Sequence, residues 1–108
     1  MPHYLWRGSY SAETWAALIK NPQNRRDPVR ALVESAGGKL EALYYGFGED
    51  DAFALVEFPD NVSAASVAVA IAASGAFKSL STTVLMTAEE AAEAMRKAGN
   101  VGYRPPGA

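Results

Sequence analysis

The stretch LEALYYGFGEDDAFALVEFPDN, Leu40 to Asn61, decides the fold: two apolar segments flank a glycine-bounded acidic turn, and the second is apolar at both parities. An apolar run of that kind reads as a strand covered on both faces. The chain's own helices can cover one face. A domain of this size has little left for the other, so a partner subunit or a ligand is implied.

Working outward, Tyr4 to Tyr10 is short, aromatic-rich and bounded by Pro2 and Ser11, which favours a first strand. Ser11, with Glu13 in the first turn and Trp15, Leu18 and Ile19 at helical spacing, predicts an N-capped helix that stops before Pro22. Pro28 can open a second helical piece, Val29 to Ala36, ended by Gly37-Gly38. The next strand runs from Lys39 to Phe47, a turn covers Gly48 to Asp50, and the third strand covers Ala52 to Phe58. Ser63 to Ser74 is alanine-rich and uncharged, so a helix covered on more than one side is expected, with Val67, Val69 and Ile71 available for burial. Phe77 to Leu85 reads as the last strand, and Thr87-Ala88-Glu89-Glu90 is a capping box opening a helix to Ala98. Residues 1–98 form a single domain in this reading. The tail 99–108, with Gly99, Gly102 and the Pro105-Pro106 pair, reads as extended.

Strand, helix, strand, strand, helix, strand is the split βαβ order of an α+β ferredoxin-like domain, here with an additional C-terminal helix. Its antiparallel four-stranded sheet carries helices on one face and leaves the other bare. The residues that fix this order also carry a family resemblance. They are the opening strand ending in Tyr10, the glycine pair before Lys39, Tyr44 and Tyr45, the turn Gly48 to Asp51, the strand ending in Glu57, Gly75, and Glu89-Glu90. The chain resembles the GYD domain family from Tyr4 to about Lys97. At the signature itself, Gly48, Asp50 and Asp51 stand where that family has Gly, Tyr and Asp, so Asp replaces the Tyr. The resemblance implies a dimeric α/β-barrel type of assembly, in which two sheets face each other, and implies no particular activity.

Composition narrows the function classes. With 10 basic and 12 acidic residues scattered along 108, the net charge is -2, and nothing forms the basic footprint that attracts nucleic acid. The absence of cysteine excludes disulfides, thiolate metal sites and a cysteine nucleophile. No window approaches the roughly 20 apolar residues of a membrane span, and MPHYLWRGSY lacks the pattern of a leader. A cytoplasmic protein with no nucleic-acid or membrane partner is expected. There is no serine elbow, no dinucleotide fingerprint and no pair of histidines for a metal, and Glu49-Asp50-Asp51 lacks the spaced ligands of a calcium loop. Neither a metal nor a cofactor is expected.

Alternation along the third strand puts Asp51, Phe53, Leu55 and Glu57 on one face and Ala52, Ala54, Val56 and Phe58 on the other. The small residues suit a close-packed helix layer. The first face is then the one a partner covers. With the first and third strands taken as parallel neighbours, His3 and Arg7 join it, and Tyr44 or Tyr45 follows from the second strand, depending on the turn. The expected ligand-binding set is therefore His3, Arg7, Tyr44, Tyr45, Asp51 and Glu57. Each has a plainer role open to it: a solvated terminal imidazole for His3, an ion pair between Arg7 and Glu57, interface packing for the tyrosines, and turn hydrogen bonds for Asp51. The expected function is a small homo-oligomer that binds a small organic metabolite between sheet and partner, or serves as an assembly unit. The alternative is a small-molecule enzyme of the barrel type, with Glu57 as the catalytic acid or base.

Overall fold

The computed structural model describes residues 1–107. Its elements are β1 (His3–Tyr10), α1 (Ala12–Lys20), α2 (Arg26–Ser35), β2 (Lys39–Tyr45), β3 (Ala52–Glu57), α3 (Asn61–Ala73), β4 (Phe77–Leu85) and α4 (Ala88–Ala98). The four strands form one antiparallel sheet in the order β2-β3-β1-β4, the ferredoxin-like arrangement. Residues 101–107 are in neither helix nor strand, and Ala108, the end of the expected tail, lies outside the described residues.

β1 and β3 are neighbours, but they run antiparallel, not parallel as expected from the sequence. The hairpin between β2 and β3 reverses the chain, and the helical crossover has already returned it to the direction of β1, so β3 must oppose β1. This reversal changes which side chains meet. His3 lies opposite Glu57, and Arg7 opposite Phe53.

Helix ends are set by local capping. Ser11 accepts the Thr14 backbone N–H, Asp60 accepts that of Ser63, and Thr87 and Glu90 form the reciprocal capping box read from the sequence. α2 begins at Arg26, three residues ahead of expectation, because Asn24 Oδ1 accepts the Arg26 N–H at 2.9 Å and Pro28 is tolerated within the first turn. It ends at Ser35, and just beyond its cap Gly37 turns the chain with a φ of 79°, glycine's territory.

The core lies between the sheet and α2 and α3, built from Tyr4, Trp6, Ala54, Val56 and Phe58 against Val33, Ala64 and Val67. Tyr4 Oη donates to Asn61 Oδ1 at 2.7 Å and ties β1 to the start of α3. β2 joins this core by a bulge. The register passes from Leu40–Val56 directly to Ala42–Leu55, so Glu41 is the extra residue. An uninterrupted strand would place Leu40 and Leu43 on opposite faces; the bulge brings both onto the core side. α3 departs from expectation: Ala64 and Val67 are buried, but Val62 and Val69 are largely exposed. One sheet face covers one side of a helix, and among the described residues nothing lies over Val62 and Val69 on the other.

α4 buries no residue completely, and Met95 is 73% exposed. The radius of gyration is 17.3 Å, against about 13 Å for a compact chain of this length. The molecule measures 58 Å along its longest axis. Among the described residues, no helix is long and apolar enough to cross a membrane.

Candidate functional site

The two sheet faces follow from the register. On the open face, three rows run across the strands: Leu85, His3, Glu57 and Lys39; then Thr83, Leu5, Leu55 and Ala42; then Ser81, Arg7, Phe53 and Tyr44. An apolar band therefore lies between a charged row and a row carrying Arg7 beside two aromatic rings. Leu5, Phe53 and Leu55 are only half-buried, because no element among the described residues covers them.

Among the expected site residues, His3 and Glu57 come together. His3 Nε2 is 3.9 Å from Glu57 Oε1, and its Nδ1 is 3.2 Å from Glu41 Oε1, the bulge residue having reached across β3. One imidazole and two carboxylates, with ligand atoms within 4.8 Å of one another, is a set able to hold a divalent cation. Each ring nitrogen already faces a carboxylate, however, so the group also closes on itself through the imidazole. Arg7 does not join it. In the antiparallel register Arg7 lies four residues along β1 and instead approaches Asp50, with Nε 3.8 Å from Oδ2.

Asp51 also leaves the expected cluster. Its Oδ2 accepts the Tyr10 backbone N–H at 3.1 Å and the Trp15 indole N–H at 3.4 Å, and its own N–H donates to the Gly8 carbonyl at 2.8 Å. The carboxylate thus fastens the end of β1 to α1. The bulge decides between the tyrosines: Tyr44 is on the open face opposite Phe53, and Tyr45 is on the helix side opposite Ala52.

On that helix side lies a cavity of about 620 Å³ between the sheet and α1, α2 and α3. Its origin is a row of small residues. Across the sheet, Tyr45, Ala52, Gly8 and Leu80 are neighbours, and the two central positions carry a methyl group and a hydrogen. A β-carbon on Gly8 would lie 2.5 Å from the Ser79 carbonyl oxygen, so that position is held to glycine by the backbone of β4. The small residues expected to bring the helices close do so only near Val56 and Phe58. At the Ala52 end the aromatic rings of Tyr10, Trp15 and Phe77 prop the layers apart, with Tyr10 centroids 5.2 Å from Trp15 and 4.6 Å from Phe77.

The cavity wall is mostly apolar, formed by Trp6, Leu18, Val29, Leu43, Ile71 and Phe77 among others, and Tyr10, Tyr45 and Arg25 are grouped at one end. Tyr10 and Tyr45 hydroxyls are 3.2 Å apart. Burial and that hydrogen bond push the Tyr10 phenol above its ordinary value, while the nearby Arg25 charge pulls the other way. Arg25 lines the same end and donates to Gln23 Oε1 at 2.9 Å. Trp6 is 4% exposed, and its indole N–H has no hydrogen-bond partner among the described residues. Sequence reasoning missed Trp6, Tyr10 and Arg25. The available signal was Gly8 beside aromatic residues in β1, a gap in an otherwise bulky strand.

The GYD domain family model matches residues 4–95. The chain belongs to that family. This GYD protein has a fold similar to a solved crystal structure of MtbAldR, with a TM-score of 0.51 and 16% identity over 80% of this chain and 52% of that one. The chain thus spans about half the length of MtbAldR, and at this identity the likeness concerns fold alone. No curated protein sequence matches it.

Proposed function

We propose that this GYD protein works as a homo-oligomeric small-molecule-binding module in which a second copy closes the open face of the sheet. The observation that carries the reading is the uncovered band of Leu5, Leu55 and Phe53, half-buried in a sheet whose other face already has its helices. Each copy presents a bare sheet face that a second copy can cover. Apolar area removed from water contributes roughly 25 cal/mol per Å², so two such faces gain by meeting, and a two-fold dimer is the simplest closed arrangement. Pairing would leave His3, Glu41 and Glu57 at one end of the band and Arg7 at the other. A small polar-ended metabolite held between copies would meet charge at both ends.

A catalytic role for Glu57 has less to support it, since Glu57 faces the open side with His3 and the large cavity lies on the opposite face.

Light scattering across a dilution series tests the proposal. The parent is expected at twice the single-chain mass or more at micromolar concentration, and Leu55→Lys, which puts an unpaired charge at the centre of the band, at single-chain mass with its secondary structure intact. A parent of single-chain mass sinks the reading.

A further inference from the structure

We propose that the cavity on the helix side of the sheet is a second binding site, one that takes a carboxylate anion with an apolar body, aromatic or aliphatic. The inference shares only the fold with the preceding reading and concerns the opposite face of the sheet.

A cavity of about 620 Å³ is in the range of small-molecule sites, which are mostly apolar with a few convergent polar groups. Two sets of donors belong to residues lining it; the unpartnered Trp6 indole N–H is sealed from the cavity surface and is not one of them. Tyr10 and Tyr45 share one hydrogen bond between two hydroxyls, which leaves one hydroxyl proton free. Arg25 has no carboxylate within ion-pair distance among the described residues and gives one of its five N–H groups to Gln23.

The competing lining groups are already committed: Thr14 Oγ1 donates to the Ala76 carbonyl, and Ser74 Oγ donates to that of Ile71. Glu13, on α1, is the single carboxylate among the lining residues. Donors in excess of acceptors call for a ligand rich in acceptors, and a guanidinium beside phenol hydroxyls favours an anionic one. The aliphatic and aromatic walls set the rest of the ligand. A free inorganic anion would leave that apolar surface empty, and an amine would meet Arg25 with like charge.

Titration of the full chain with 5-phenylpentanoate, its primary amide and 5-phenylpentylamine tests this, read by Trp fluorescence and by backbone amide shifts. The carboxylate is expected to saturate, to move the amides of Gly8, Ala17, Ala54 and Ile71, and to bind at least tenfold more tightly than the amide, with the amine weakest. Arg25→Gln should bring carboxylate and amide to equal affinity without changing the melting temperature. Ala70→Phe, which fills the space from α3, should weaken all three at least tenfold. Leu55→Lys should bind as the parent does, since the site lies across the sheet. Equal affinities for the three ligands in the parent overturn the proposal. So does the lack of any saturable shift at millimolar concentration, or shifts that map to Leu5, Phe53 and Leu55.

Discussion

The hydroxyls of Tyr10 and Tyr45 meet at 3.2 Å although their strands are not neighbours; β3 runs between them, and only the methyl group of Ala52 stands below. Two rings thus bridge a strand that carries almost nothing on that face. The bridge closes one end of the cavity and connects the edge strand to the centre of the sheet.

That pair makes the fold sensitive to alkali. The Tyr10 phenol is raised by burial and by Tyr45, and the Tyr4 phenol by burial and by Asp60. An unfolded tyrosine loses its proton near pH 10, while the folded chain keeps it. The unfolded state therefore binds fewer protons above that pH. Stability is full below about pH 10 and falls as pH rises toward the folded values. Tyr10→Phe should remove part of the decline, so denaturant melts at pH 9 and 11 should differ less for the variant than for the parent. An equal difference in both chains rules the mechanism out.

Asp51→Ala should cost about 1.5–3 kcal/mol, the range for hydrogen bonds to a charged group. It strips acceptors from the Tyr10 backbone N–H and the Trp15 indole N–H together. The emission of Trp15 should shift to longer wavelength as α1 loosens from β1. A variant with the parent's melting temperature would show that the fastening is decorative.

At α4 the effect should be local. The Thr87 hydrogen bond lowers the Glu90 carboxyl below the usual carboxylate range, so the cap is intact above the ordinary unfolded value and is lost as pH falls through the folded one. Thr87→Ala, worth about 1 kcal/mol at a typical cap, should speed amide exchange in Ala91 to Ala98 and leave global melting nearly unchanged. A matching drop in global stability would mean that α4 is packed against the rest of the assembly.

The bulge gives a less intuitive expectation. Deleting Glu41 restores an unbroken ladder with Leu40, Leu43 and Tyr45 still on the helix side, so the chain should fold, losing only the exposed contact to His3. Deleting Leu43 should turn Tyr45 outward and prevent folding. Circular dichroism melts of the two deletions compare them directly.

Much of the fold was legible because its signals are local. Thr87 and Glu90 spell their own cap, Gly37 its own turn, and the alternation of Ala52 to Phe58 its two faces. The site was less so. Its geometry depends on how β1 runs against β3, and on one extra residue at Glu41, neither of which leaves a pattern in a single segment. The expected cluster of His3, Arg7, Asp51 and Glu57 accordingly divides into a His3–Glu41–Glu57 group, an Arg7–Asp50 pair and the Asp51 fastening. The cavity was hidden for a related reason: it is made by small residues on separate strands, Gly8 and Ala52, that meet only in the folded sheet.

β3 is in effect a two-sided ruler, with odd positions 53, 55 and 57 graduating one surface and even positions 52, 54 and 56 the other. Substitutions of one parity can drift without disturbing the other, so descendants of this chain are free to trade neighbours while keeping their cavity, or the reverse. A library of variants confined to one parity would explore a single property at a time. The single event that confounds the two is a slip of one residue in the loop 46–51, which the Asp51 N–H to Gly8 hydrogen bond stands against.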